Sequence, residues 1–253
     1  MSRIVDLSKT IKYRKDDPWF MRVKVKHKPH GKSKFLVRIL GLPEKLMPDL
    51  FTGWSDDKVT MGVHAPTHLD APWHYGPTVN GQPAKTIDEI PLEWCIGRGI
   101  VIDVSHKKDM EVVTVEDLQK DLARTGAPVE PGTIVLIKTG RDKLRGKEMV
   151  SQGVGMGAEA TEWLVDQGVK VMGIDQWGWD LPLFNMAKEA KRRKDKEYFW
   201  QGHLVGRRKE YLHIEQMVNL DLLPPMGFTV SVLPLKIEGA SAAPARVVAI
   251  LDD

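Results

Sequence analysis

Residues 97–140 constrain the fold more than any other stretch. GRGIVIDVSH (97–106) is a β-branched apolar run entered through glycines, and GTIVLIKTG (132–140) repeats it with glycine at both ends; both predict buried strands. Between them, TVEDLQKDLARTG offers Thr114 as N-cap, acidic residues in the first turn, Val115, Leu118 and Leu122 at helical spacing, and Gly126 as a stop. The product is a β-α-β unit. The alternation continues with AEATEWLVDQG as a helix and VKVMGID (169–175) as a strand, whereas GFTVSVLPLKIEG and PARVVAIL supply two strands with no helix between them, a hairpin. The expectation is one α/β domain over residues 1–253 with a mixed sheet.

With 253 residues and 42% hydrophobic content, the chain can bury a core of that size. The 37 basic residues against 34 acidic ones leave a formal charge of +3, too balanced to imply a polyanionic partner. Cys95 is the single cysteine, so no intramolecular disulfide is expected, and it is expected to pack in the core. The N-terminus lacks the pattern of a secretory signal, and no apolar run approaches the ~20 residues of a membrane helix. A cytoplasmic location, with no membrane and no nucleic acid as partner, is expected. The charged segment KEAKRRKDKEYFW (188–200) predicts a solvated helix with Glu189 and Arg193 paired. VKHKPHGKSK (25–34) has no acidic or thiol partner beside its two histidines and is expected to be a loop.

Residues 64–74, HAPTHLDAPWH, concentrate three of the chain's eight histidines and an aspartate. All four sit at even positions, so a straight strand would put them on one face, but with His64 and His68 about 13 Å apart. One ion with bonds near ~2 Å cannot reach both. The segment is therefore expected to curl, with Pro66 and Pro72 excluding a continuous helix while allowing turns or a helix start. A helical turn around Thr67 to Leu69 would bring His64 and His68 within ~6 Å. Imidazoles and a carboxylate converging in this way suit a zinc or manganese ion that keeps a position open for water.

HAPTHLDAPWH resembles the H-x-G-T-H-x-D-x-P-x-H signature of the cyclase-like metal-dependent hydrolases, the family of kynurenine formamidases and isatin hydrolases. Further matches follow the family's order: DLS at 6–8, GID at 173–175, His203 followed twelve residues later by Glu215, and PLKIEGASAAPARVVAI at the C-terminal end. The likeness spans nearly the whole chain, and residues 199–228 look more like isatin hydrolases than like the shorter formamidases. Pro66 stands where the signature has glycine and stiffens the loop. The resemblance implies a swivelling β/β/α architecture and a homodimer or larger oligomer. It implies Mn2+ or Zn2+ on His64, His68 and Asp70, with His203 and Glu215 holding a second metal or orienting the first shell. It makes His74 the proton-transfer residue.

Metal-assisted hydrolysis of an amide needs a group near the ion to move a proton, and His74, His203 and Glu215 are the catalytic candidates. Trp73, Trp177, Trp179 and Phe184 would suit a flat aromatic or heterocyclic amide, and Ser231 or Ser241 would add a hydrogen bond. The expected activity is hydrolysis of a cyclic or aryl amide of the isatin kind. Arylformamidase action on N-formylkynurenine, a metal-dependent lyase or cyclase, and a basic nucleic-acid-binding module built on 188–200 are the alternatives.

Overall fold

The computed structural model describes residues 3–251. Eight strands form one sheet: β1 (Arg3–Asp6), β2 (His68–Asp70), β3 (Ile96–Asp103), β4 (Ile134–Lys138), β5 (Val171–Ile174), β6 (Leu212–Glu215), β7 (Phe228–Pro234) and β8 (Ala242–Leu251). Their order is β1-β8-β7-β3-β4-β5-β6-β2, and β2 also pairs with β8, so the sheet curls back on itself like a barrel. The run β3, β4, β5, β6 is parallel, and the remaining pairings are antiparallel. The mixed sheet, the β-α-β unit and the C-terminal hairpin are as expected.

The crossover helix α2 follows the short helix α1 (Pro72–Tyr75) and runs over Val115–Thr125. Thr114 caps it, with Asp117 reaching back to the cap, and Gly126 ends it in the left-handed conformation at φ 69°. Helices α3 (Ala158–Asp166), α4 (Leu183–Arg193) and α5 (Gln201–Val205) follow. On α4, Glu189 pairs with Arg193 at 3.4 Å and with Arg192 at 2.7 Å, a solvated face that neutralises part of its own charge.

Two cores lie on opposite faces of the sheet. Leu69, Val101, Leu136, Leu212, Ile214, Val230 and Cys95 pack inside the curl. Ile100, Ile102, Val135, Ile137, Met172 and Ile174 turn to the helices, where they meet Leu118, Leu164 and Trp179. Parallel strands covered on both faces explain why their sequences are continuously apolar.

One expected loop is regular structure. Lys24–Lys28 pairs antiparallel with Asp56–Thr60, and His30–Ile39 is helical. His27 finds its acidic partner in Asp57, 3.2 Å away across that hairpin and thirty positions along the chain, a distance that local reading does not bridge. Among the described residues, no helix is long and apolar enough to cross a membrane.

Candidate metal centre

The 64–74 segment does curl, but not through a helical turn at 67–69. The bend lies at 63–67, where the Ala65–Pro66 peptide is cis, and residues 68–70 are the strand β2. The His64 and His68 rings come to 5.1 Å. Pro72 then occupies the first turn of α1, a position that needs no backbone N–H, and α1 carries His74 back over the strand.

Strand register supplies the other half. Asp70 lies directly opposite His213 and His68 opposite Glu215 in the antiparallel β2–β6 pair. Residues two apart on a strand share a face, so His68, Asp70, His213 and Glu215 point together while Leu69 and Ile214 point into the core. His203 arrives from α5, where Gly202 lets the backbone approach Trp179: an added Cβ would sit 2.8 Å from the Trp179 ring.

Asp70 is the hub. His64 Nδ1 lies 2.7 Å and His68 Nε2 3.3 Å from its Oδ1, and His213 Nε2 lies 2.9 Å and His74 Nε2 3.9 Å from its Oδ2. Glu215 closes the far side, 3.2 Å from His213 Nε2 and 3.9 Å from His203 Nε2. Ligand atoms of Asp70, His203, His213 and Glu215 fall within 4.8 Å of one another, as do those of His64, Asp70 and His74.

Outer contacts orient the rings. His68 Nδ1 bonds the Pro66 carbonyl at 2.9 Å, His203 Nδ1 bonds Asp180, His213 Nδ1 meets Tyr75 Oη at 3.1 Å, and His64 Nε2 meets Ser241 Oγ at 3.0 Å. The first three thus turn Nε2 inward, the arrangement that fixes the tautomer of metal-binding histidines. Glu215 accepts from the backbone N–H of Gly178 at 3.2 Å and Trp179 at 2.9 Å. Among the described residues, five buried side-chain nitrogen and oxygen atoms lack a hydrogen-bond partner, and His68 Nε2, both Asp70 oxygens and His213 Nε2 are four of them. Buried polar atoms left unpaired are costly, and four that converge fit a divalent cation.

Charge follows the same pattern. Burial resists ionisation of Asp70, yet His68, His213 and His64 hold it well below the usual carboxylate range. Burial likewise opposes Glu215, and His213 and His68 bring it to about 2. For His213 burial favours the neutral ring, but the Asp70 and Glu215 carboxylates outweigh it and lift its pKa to about 9. A cation at the centre competes with that proton for one lone pair. Burial, with His64, His203 and His213 nearby, pushes His74 down to about 4 against the pull of Asp70.

A cavity of about 350 Å³ opens beside the cluster, lined by His64, His74, His203 and Glu215 and walled by Trp177, Phe199 and Trp200. Of the residues expected to bind substrate, Trp177 lines it. Trp179 is fully buried, with Nε1 donating to Thr161 and its ring stacked on His213 behind the cluster. Trp73 and Phe184 are 44% and 56% exposed and do not line it. Ser231 lies on β7 opposite Ile96 and Val248, away from the cavity, and Ser241 is the serine at the site.

The family profile described as "Putative cyclase" matches residues 5–181. The chain belongs to the cyclase family. A kynurenine formamidase from Bacillus cereus is 25% identical over 196 residues, covering 76% of this chain and 78% of that protein. Cyclase-like protein 3 of Arabidopsis thaliana is 24% identical over 76% of this chain and 64% of its own length. Isatin hydrolase A from Ralstonia solanacearum superposes with a TM-score of 0.75 at 24% identity over 99% of this chain and 92% of its own. The Labrenzia aggregata enzyme bound to benzyl benzoate gives 0.73 at 24% identity, covering 100% and 94%. These likenesses establish the cyclase fold, and family membership makes the chain an enzyme of the metal-dependent hydrolase type.

His213, Tyr75, Asp180, Phe199 and Trp200 were not among the residues expected from the sequence. The spacing of His213 and Glu215 on a strand was a readable signal for the first. The others come to the site only through packing.

Proposed function

We propose that this cyclase-family enzyme hydrolyses a cyclic or aryl amide of a small aromatic or heterocyclic compound, with isatin-like molecules as leading substrates. The observation that carries the reading is the set of unpaired, buried donor atoms of His68, Asp70 and His213 beside an aromatic-walled cavity of about 350 Å³, a volume suited to a bicyclic ligand. His64, His68 and Asp70 would hold Mn2+ or Zn2+, with His203 and Glu215 binding a second ion or orienting the ligands of the first. Such an ion, when bound, lowers the pKa of water in its shell and polarises a carbonyl.

The chain's own residues supply the remainder. His74 is neutral at working pH, faces the cavity and lies beside His64, with ring centroids 4.2 Å apart. It accepts the proton of the attacking water and returns it to the leaving nitrogen. Glu215, ionised down to about 2 and anchored on two backbone N–H groups, is a poor base and serves as ligand or orienter. Asp180 holds the His203 ring with Nε2 toward the centre. Trp177, Phe199 and Trp200 offer faces on which a flat amide stacks.

A homodimer or larger oligomer in the cytoplasm completes the reading. It would cover Trp19, Leu40 and Leu50, which stand 80%, 75% and 95% exposed.

The test is an absorbance assay of isatin ring opening beside N-formylkynurenine hydrolysis, with manganese, zinc or no metal added. Metal-dependent isatin turnover is expected to exceed deformylation. The reverse ratio makes the enzyme an arylformamidase, and bound metal with neither activity overturns amide hydrolysis.

A further inference from the structure

His213 is the member of the cluster that neither the family signature nor the further family matches cover. It sits at the centre of β6, fully buried and directly opposite Asp70. Its ring is held by two aromatic residues. Trp179 stacks on it at 5.2 Å with planes 9° apart, Tyr75 stacks at 5.2 Å and 27°, and Tyr75 Oη meets Nδ1 at 3.1 Å. An imidazole so confined has one free nitrogen, Nε2, in one orientation.

Nε2 lies 2.9 Å from Asp70 Oδ2 and 3.2 Å from Glu215 Oε1, yet it makes no aligned hydrogen bond, and neither Asp70 oxygen does. A histidine serving only as counter-charge would aim an N–H at a carboxylate oxygen, because alignment carries most of that interaction's strength. Here the nitrogen and the carboxylate oxygens approach closely while facing a common third point. Around an ion with bonds of ~2.0–2.2 Å, neighbouring ligand atoms stand roughly 3–3.5 Å apart, which brackets the 3.2 Å separation and lies just above the 2.9 Å one.

We propose that His213 Nε2 is a metal ligand, sharing one ion with Asp70, His203 and Glu215, and that Tyr75 is its positioning residue, its Oη accepting a hydrogen bond from Nδ1–H so that Nε2 stays bare. This rests on the metal-dependent reading above and extends it. The ion at that position meets two imidazoles and two carboxylates, a donor set that favours zinc over manganese, whose preference is for oxygen-rich shells.

Two measurements on the full chain test the proposal. In the 15N-labelled wild-type protein, two-bond 1H–15N correlations read the His213 ring before and after zinc is added. Zinc loading should shift Nε2 to a ligated nitrogen while Nδ1 keeps its proton. By isothermal titration with zinc, His213→Leu should lose one binding event or weaken it by more than the about tenfold expected for Tyr75→Phe, a change confined to the ligand's orienting bond. Zinc bound by the wild type with the His213 Nε2 resonance unmoved would overturn this assignment and leave the metal-dependent reading standing. No zinc uptake by the wild type under any loading would overturn both.

Discussion

The two faces of the β2–β6 ribbon share one backbone and differ in everything else. Leu69, Leu212 and Ile214 turn inward and are completely buried in an apolar core. His68, Asp70, His213 and Glu215, alternating with them, are almost as buried but carry four side-chain atoms without hydrogen bonds. Each inward side chain contributes about 1.5–3 kcal/mol by leaving water, while each unpaired buried polar atom costs about 1–3 kcal/mol. The alternation of a strand lets one face supply the stability that the other spends on chemistry. On the metal-dependent reading, an ion would relieve those unpaired outward atoms.

The comparison can be broken most severely at Asp70. Asp70→Ala removes the atom set that every other ligand faces and should abolish metal uptake and metal-dependent turnover together, checked by elemental analysis and assay. The inward face should respond in the opposite sense. Leu69→Ala should lower unfolding free energy by about 3 kcal/mol in denaturant titrations while leaving zinc stoichiometry intact.

Chelation probes the outward face without mutation. Protein kept in free metal at 100 times the dissociation constant should lose about 2.7 kcal/mol of stability when the ion is stripped, read as a fall in Tm. A smaller effect follows from His74. Its folded pKa is about 4 against 6.5 for the free side chain, so between those values the unfolded chain binds the extra proton. Stability of the metal-free protein should therefore fall as pH drops from about 6.5 to about 4, by about 2 kcal/mol, and His74→Gln should flatten that slope in thermal unfolding. The smallest effect is a control far from the ribbon. Thr114→Ala removes the cap of α2 and should cost about 1 kcal/mol with metal affinity unchanged.

Legibility in the sequence tracked how local each feature is. The 115–125 helix was readable with both its ends because its cap, acidic first turn and terminal glycine lie within fourteen residues. The 24–28 strand was not, since its partner and the aspartate that meets His27 are about thirty residues away. At the site, one arm could be read because proline and histidine crowd into 64–74. The other arm was half read: His203 and Glu215 through family likeness, His213 not at all. Of the aromatic residues, Trp177 reached the cavity while Trp179, two positions on, went behind it.

By itself, then, the sequence determined the mixed α/β sheet and the presence of a histidine-carboxylate loop, because hydrophobic periodicity, caps and ligand spacing act over a few residues. Only the tertiary structure decided which side chains share the centre. Strand register sets Asp70 against His213 and His68 against Glu215, and a register between segments some 140 residues apart comes from the packing of the whole sheet rather than from either segment alone.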